Sequence, residues 1–129
     1  MKIEHIALWT EDLERSRDFY MEFFGAKSNE KYVNVKKGFS SYFLSFDTGC
    51  RLEIMNMSGK IKYEYDREER FTGISHLAIT VGSKQKVDEL TKSLGDKGFI
   101  VASNPRETGD GYYESVVLDP DGNRIEITE

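Results

Sequence analysis

The sequence predicts an α+β protein built from two β-α-β-β-β modules that form an open, incomplete barrel or cup. Six residues, Gly49-Cys50-Arg51-Leu52-Glu53-Ile54, return as Gly122-Asn123-Arg124-Ile125-Glu126-Ile127, in the pattern Gly-x-Arg-aliphatic-Glu-Ile. Upstream of each copy stands a second matched pair, His5-Ile6-Ala7-Leu8 and His76-Leu77-Ala78-Ile79, and these contain both histidines of the chain. The separation from His5 to Glu53 nearly equals that from His76 to Glu126, and the same order of alternating and helical segments runs through each half.

The first strand is expected over Ile3 to Thr10, where Ile6 and Leu8 alternate with His5, Ala7 and Trp9. Thr10 to Asp12 supply helix-start residues. Leu13, Ser16, Tyr20, Phe23 and Phe24 recur at helical spacing up to Gly25, a C-terminal stop. Three strands follow, Lys31 to Val35, Ser40 to Phe46 and Arg51 to Met57, separated by turns at Lys36-Lys37-Gly38 and Asp47-Thr48-Gly49. Ile74 to Val81 repeats the first strand. Ser83 then caps a helix carrying Val87, Leu90 and Leu94 that stops between Gly95 and Gly98. Phe99 to Ser103, Tyr112 to Leu118 and Arg124 to Thr128 complete the second set, with Asp119-Pro120-Asp121-Gly122 as the last turn. The modules are therefore 1–57 and 73–129 of one domain spanning 1–129. Between them lies a polar, charge-rich connection, 58–72, that includes Asp66-Arg67-Glu68-Glu69-Arg70.

Composition narrows the function. The chain has 129 residues, 18 Lys plus Arg against 23 Asp plus Glu, and a net charge of −5, which argues against a nucleic-acid partner. One cysteine excludes an intrachain disulfide framework and suits a reducing compartment. No apolar run spans a bilayer, and the charged start Met1-Lys2-Ile3-Glu4 is not a signal peptide, so a cytoplasmic protein with no membrane partner is expected. Modules of roughly 60 residues are marginal alone. They must bury apolar faces against each other or against a second copy, and a homodimer is the expected assembly.

On strands, side chains two apart share a face. Arg51, Glu53 and Met55 therefore oppose Leu52 and Ile54, and Arg124, Glu126 and Thr128 oppose Ile125 and Ile127. With the aliphatic sets packed under the helices, Glu53 and Glu126 project to the concave side that His5 and His76 also face. Two histidines and two glutamates are the inventory of a divalent metal site. Enclosed carboxylates without a counter-charge cost several kcal/mol each, which a divalent cation offsets. Singly, each residue has an ordinary structural reading, a hydrogen-bonded histidine or a solvated glutamate; the duplication is what groups them. Arg51 and Arg124 either bind an anionic group of a substrate or pair with neighbouring carboxylates. Phe46, Met55, Tyr112 and Tyr113 are candidate pocket-lining residues.

This pattern resembles the vicinal oxygen chelate superfamily, which includes glyoxalase I, along essentially the whole chain. The residues that carry the resemblance are His5-Ile6-Ala7-Leu8 followed by Ser16-Arg17-Asp18-Phe19-Tyr20, Gly73-Ile74-Ser75-His76-Leu77-Ala78, and Asp119-Pro120-Asp121-Gly122-Asn123-Arg124-Ile125-Glu126. Glyoxalase I uses the ligand order His, Glu, His, Glu, matched here by His5, Glu53, His76 and Glu126. Fosfomycin-resistance transferases and extradiol dioxygenases use His, His, Glu, and epimerases favour Gln at the second position. The resemblance implies octahedral Ni2+ or Zn2+ with two positions left for water or a substrate's neighbouring oxygens. It also implies a lyase or isomerase acting on a hemithioacetal or related 2-hydroxycarbonyl compound through a metal-stabilised enediolate. Glu126 is the first choice for the base that moves the proton, with Glu53 its counterpart.

Glutathione-dependent members carry an arginine soon after the first histidine. This chain has Ala7-Leu8-Trp9-Thr10 there, and Trp9 offers an aromatic wall instead. The substrate is thus a small molecule, a thiol adduct by resemblance, with the thiol unspecified. Two other readings accompany the first: a non-catalytic sequestering protein like the bleomycin-binding members, and a thiol transferase or dioxygenase of the same superfamily, which Glu53 disfavours. The four ligands would meet either within one chain or across a dimer of two.

Overall fold

Each strand of the duplicated pattern forms where apolar and polar residues alternate, and each helix where a capping side chain precedes an apolar stripe. The computed structural model describes residues 1–59 and 72–129. The chain divides into two units, 1–64 and 65–129. Most of the charged connection expected over 58–72 falls on 60–71, outside the described residues. No helix among the described residues is long and apolar enough to cross a membrane.

In the first unit, strand β1 (His5–Trp9) leads to helix α1 (Leu13–Phe24). The Asp12 carboxylate caps α1 by accepting from the Arg15 N–H, and Gly25 ends it at φ 65°, a left-handed geometry that glycine adopts freely. Strands β2 (Lys27–Ser28), β3 (Tyr32–Asn34), β4 (Phe39–Ser45) and β5 (Arg51–Met57) complete a five-stranded sheet ordered β1-β5-β4-β2, with β3 also on β4. β1 and β5 are parallel; the remaining pairs are antiparallel. Tyr42, Leu44, Leu52 and Ile54 are buried, as are Leu13, Phe19 and Tyr20 of α1, which packs on β4 and β5.

The strand expected over Lys31 to Val35 is shortened to β3, and the two-residue β2, which was not expected, precedes it. Asn29 separates β2 from β3: its side-chain oxygen accepts from the Phe43 N–H at 2.7 Å while its own N–H donates to the Phe43 carbonyl at 3.1 Å. An asparagine side chain has replaced one backbone partner of the ladder. At the other end, Val35 opens a 3-10 turn (Val35–Lys37) capped by the Asn34 side chain and closed by Gly38 at φ 63°.

The second unit repeats the plan. Strand β6 (Leu77–Thr80) is shorter than the expected Ile74 to Val81, so His76 sits just before the first paired residue. Ser83 caps helix α2 (Lys84–Asp96) by accepting from the Lys86 N–H. Its buried face is Val87, Thr91 and Leu94, with Leu90 only partly covered. Thr91 is admitted because its hydroxyl donates to the Val87 carbonyl and meets the Ser115 hydroxyl, both at 2.6 Å.

Strands β7 (Val101–Glu107), β8 (Tyr113–Leu118) and β9 (Arg124–Thr128) give the order β6-β9-β8-β7, with β6 and β9 parallel. β7 is later and longer than the expected Phe99 to Ser103 and runs through Pro105. As an edge strand it can lack that N–H, and its register shifts on both sides of Ser103. Ile125 and Ile127 are fully buried on the side of the sheet that carries α2. The β8–β9 turn is held by Asp119, whose Oδ1 accepts from the N–H groups of Asp121 and Asn123 and whose Oδ2 accepts from the Asn123 side chain.

Candidate metal and substrate site

In both units a parallel strand pair sets an alanine directly beside a glutamate: Ala7 pairs with Glu53, and Ala78 with Glu126. Two residues before each alanine, on the same sheet face, stands a histidine. Alanine is too small to screen the carboxylate from its diagonal neighbour, and the histidine ring leans over it. His5 Nε2 lies 3.8 Å from Glu53 Oε2, and His76 Nε2 lies 3.6 Å from Glu126 Oε2. The glutamate side chains are largely covered, 14% and 19% exposed, while the imidazoles are 39% and 43% exposed.

These gaps are too wide for hydrogen bonds. They are close to the spread of two donors that each stand about 2.1 Å from one ion. Among the described residues no three His, Cys, Asp or Glu side chains form a metal-holding group; each unit brings together one imidazole and one carboxylate. The donor types fit a borderline divalent ion.

The two pairs differ in their surroundings. In the first unit, His5 Nδ1 is 2.5 Å from Glu4 Oε2, and Glu4 is held in turn by the Arg51 guanidinium, whose Nε donates to Oε1 at 2.9 Å. Hydrogen bonds from His5 and then from Arg51 hold the Glu4 carboxyl below its ordinary range. Arg51 also lies 4.1 Å over the ring of Phe43, which meets His5 edge-on at 5.3 Å. The ion pair anticipated for Arg51 thus forms with Glu4.

Further along the same face, Trp9 pairs in register with Met55 and stacks edge-on against Phe39 at 6.2 Å, with Tyr32 behind it. The corresponding pair in the second unit is Thr80 with Thr128, so the duplicated face is aromatic in one copy and polar in the other.

In the second unit, His76 Nδ1 faces the Ser75 hydroxyl at 3.3 Å. Glu126 has a carboxylate neighbour, Glu114 of β8, which pairs with Arg106 at 3.3 Å and is itself nearly buried. Burial, followed by the Glu114 charge, raises the proton affinity of Glu126 above the usual carboxylate range, with His76 opposing. A partly buried carboxylate under that stress is one that a cation would stabilise. Beside Glu114, the Thr128 hydroxyl is buried with no hydrogen-bond partner among the described residues.

Arg124 opens β9 on the Glu126 face and is exposed. Tyr112 lies in the β7–β8 turn, its backbone tied to Thr108 and its side chain exposed. Tyr113 points the other way, donating to Asp88 of α2 at 2.7 Å, so it does not line the histidine face. Phe46 follows the end of β4. Glu4, Phe43, Glu114 and Arg106 were not singled out from sequence. Glu114 was findable, since counting back from the Asp119–Gly122 turn puts it on the Glu126 face.

Each unit thus carries the same sheet topology with one His–Glu pair on one face. The chain belongs to the Glyoxalase/Bleomycin resistance protein/Dioxygenase superfamily, whose family model matches residues 2–127. It is 30% identical over 128 residues to the Bacillus subtilis protein "Uncharacterized protein YqjT", covering 97% of this chain and 96% of that one. It is 31% identical to the lactoylglutathione lyase GLX1 of Arabidopsis thaliana, covering 97% of this chain but only 43% of the plant protein's length. Among solved structures, the trypanothione-dependent glyoxalase I of Leishmania major superimposes with a TM-score of 0.79 at 26% identity, covering all of this chain and 86% of that one.

Proposed function

We propose that the chain is a metal-dependent lyase or isomerase of the glyoxalase I type, acting on a hemithioacetal or a related 2-hydroxycarbonyl compound. The observation that carries this reading is the repeated His–Glu pair, 3.8 Å apart in one unit and 3.6 Å in the other. His5, Glu53, His76 and Glu126 would be the ligands for a divalent metal, Ni2+ or Zn2+. The ion would supply Lewis acidity, polarising a carbonyl and lowering the barrier to loss of the adjacent C–H proton.

Glu126 would take that proton from the hydroxyl-bearing carbon and return it to the neighbouring carbon, while the hydroxyl proton passes to the former carbonyl oxygen, converting a hemithioacetal into the thioester of a 2-hydroxy acid. Burial, followed by the Glu114 charge, raises its proton affinity, which is the direction a general base needs. Glu53 is its counterpart in the first unit. Trp9 and Met55, two strand positions on from Ala7 and Glu53, offer an apolar wall for the substrate's side group. Arg124, exposed on the Glu126 face, is available to an anionic group; Arg51 is already engaged by Glu4.

Likeness to proteins described as a lactoylglutathione lyase and as a trypanothione-dependent glyoxalase I supports a thiol adduct as substrate and leaves the thiol open. A homodimer is the proposed assembly, in a cytoplasmic setting.

The test is metal analysis of purified protein, followed by turnover of methylglyoxal with glutathione and several other thiols. Activity that needs Ni2+ or Zn2+ and is lost in Glu126→Gln is expected. Protein that binds neither ion, or full turnover in both Glu53→Gln and Glu126→Gln, would overturn the reading, the first outcome favouring a sequestering role.

A further inference from the structure

We infer that Glu4, braced by Arg51, is a positioning residue that holds the His5 imidazole in the tautomer with its proton on Nδ1, so that the Nε2 lone pair is presented toward Glu53. A carboxylate can only accept, so a neutral ring whose Nδ1 lies 2.5 Å from Glu4 Oε2 must carry its proton on that nitrogen. The other nitrogen is then the free donor to a metal, and it is the one that points toward Glu53.

Three contacts keep Glu4 in place. Its carbonyl accepts from the Arg51 N–H at 3.1 Å, the Arg51 Nε and Nη2 both reach its Oε1, and the Arg51 guanidinium is seated on Phe43. Phe43 meets the His5 ring edge-on, closing a circuit of four side chains on one sheet face. Adjacent residues of a strand normally point to opposite faces. Glu4 escapes that rule because it precedes the first residue of β1.

Among the described residues, the second unit shows no carboxylate on the His76 Nδ1. His76 Nδ1 faces a serine hydroxyl, which can donate or accept and therefore dictates neither tautomer. The first unit is the preset anchor, and Arg51 serves it rather than the substrate. The importance of this anchor rests on His5 being a metal ligand, as proposed above; the tautomer itself does not.

Long-range proton–nitrogen NMR of the metal-free protein at about pH 8.5, well above the ordinary histidine range, reads both rings, with His5→Gln for assignment. His5 should show the proton on Nδ1 in the native chain, and should move toward the Nε2–H form in Glu4→Leu and partly in Arg51→Met, with His76 unchanged. Chelator competition should show Ni2+ and Zn2+ binding to Glu4→Leu weakened about 10- to 100-fold, the usual cost of losing such a partner.

An Nε2–H His5 in the native chain, or a ring unmoved by Glu4→Leu, overturns the inference. Should Glu4→Leu fail to fold, the native tautomer and Arg51→Met still decide. A native chain with the Nδ1–H ring that binds neither ion would uphold the role of Glu4 and remove the metal reading. Tight metal binding unchanged in both variants would do the reverse.

Discussion

Glu126 and Glu114 stand diagonally across the β8–β9 pair, on one face of the sheet, and Glu114 is paired with Arg106. Burial and the Glu114 charge raise the folded-state proton affinity of Glu126, so its ionised form costs stability above that raised value. The cost vanishes below the unfolded carboxylate range, where both states are protonated. Metal-free Glu126→Gln should therefore melt a few degrees higher than the native chain at pH 7, with the gain disappearing by about pH 4. Thermal melts at the two pH values check this; a gain that did not depend on pH would contradict it.

The β8–β9 turn sets which residues stand beside Glu126. Asp119 accepts three hydrogen bonds there from Asp121 and Asn123. Asp119→Ala should lower the unfolding free energy by about 1–3 kcal/mol, the cost of leaving buried donors unmet. Urea unfolding measures the loss, and amide exchange should rise first at Asn123 and Arg124.

Leu94 is fully buried on the inner face of α2, where it packs toward the second sheet. Leu94→Ala removes its packing and leaves a cavity, with an expected loss of about 2–5 kcal/mol. That is a large share of the stability of a small protein. The urea midpoint should fall accordingly, while the exposed helix residue Lys92, changed to Ala, should alter stability by less than about 0.5 kcal/mol.

Trp9 is the single tryptophan of the chain and lies on the His5–Glu53 face, two strand positions beyond Ala7. Binding of a thiol-adduct product analogue should therefore change its emission in a saturable way. The change should vanish in Trp9→Phe, whose affinity is read by calorimetry instead. A saturable calorimetric signal in the native chain with no change in emission would remove Trp9 from the substrate wall.

Both helices, the duplicated strands and the face on which each ligand candidate sits were legible because they follow local periods: two for a strand, 3.6 for a helix. Asp12, Gly25 and Ser83 marked helix ends for equally local reasons. The later half of β7, beyond Ser103, was not legible, since Pro105 speaks against a strand and is tolerated only because β7 is an edge. The split of β2 from β3 was hidden too, because Asn29 acts through a partner on β4, Phe43, that lies far along the chain.

Glu4 was overlooked for a related reason. Alternation assigns it to the face opposite His5, and only its place before the first paired residue frees it to turn back.

The sequence by itself determined that the chain is a duplication and that a histidine and a glutamate share a face in each half; both statements depend on order along the chain alone. Only the tertiary structure decided what each of those residues leans on. His5 is held by a braced carboxylate and His76 by a hydroxyl, while Glu126 is crowded by a second acid. Those partners are chosen by strand register and side-chain rotamer, which depend on turns and contacts between residues remote in sequence.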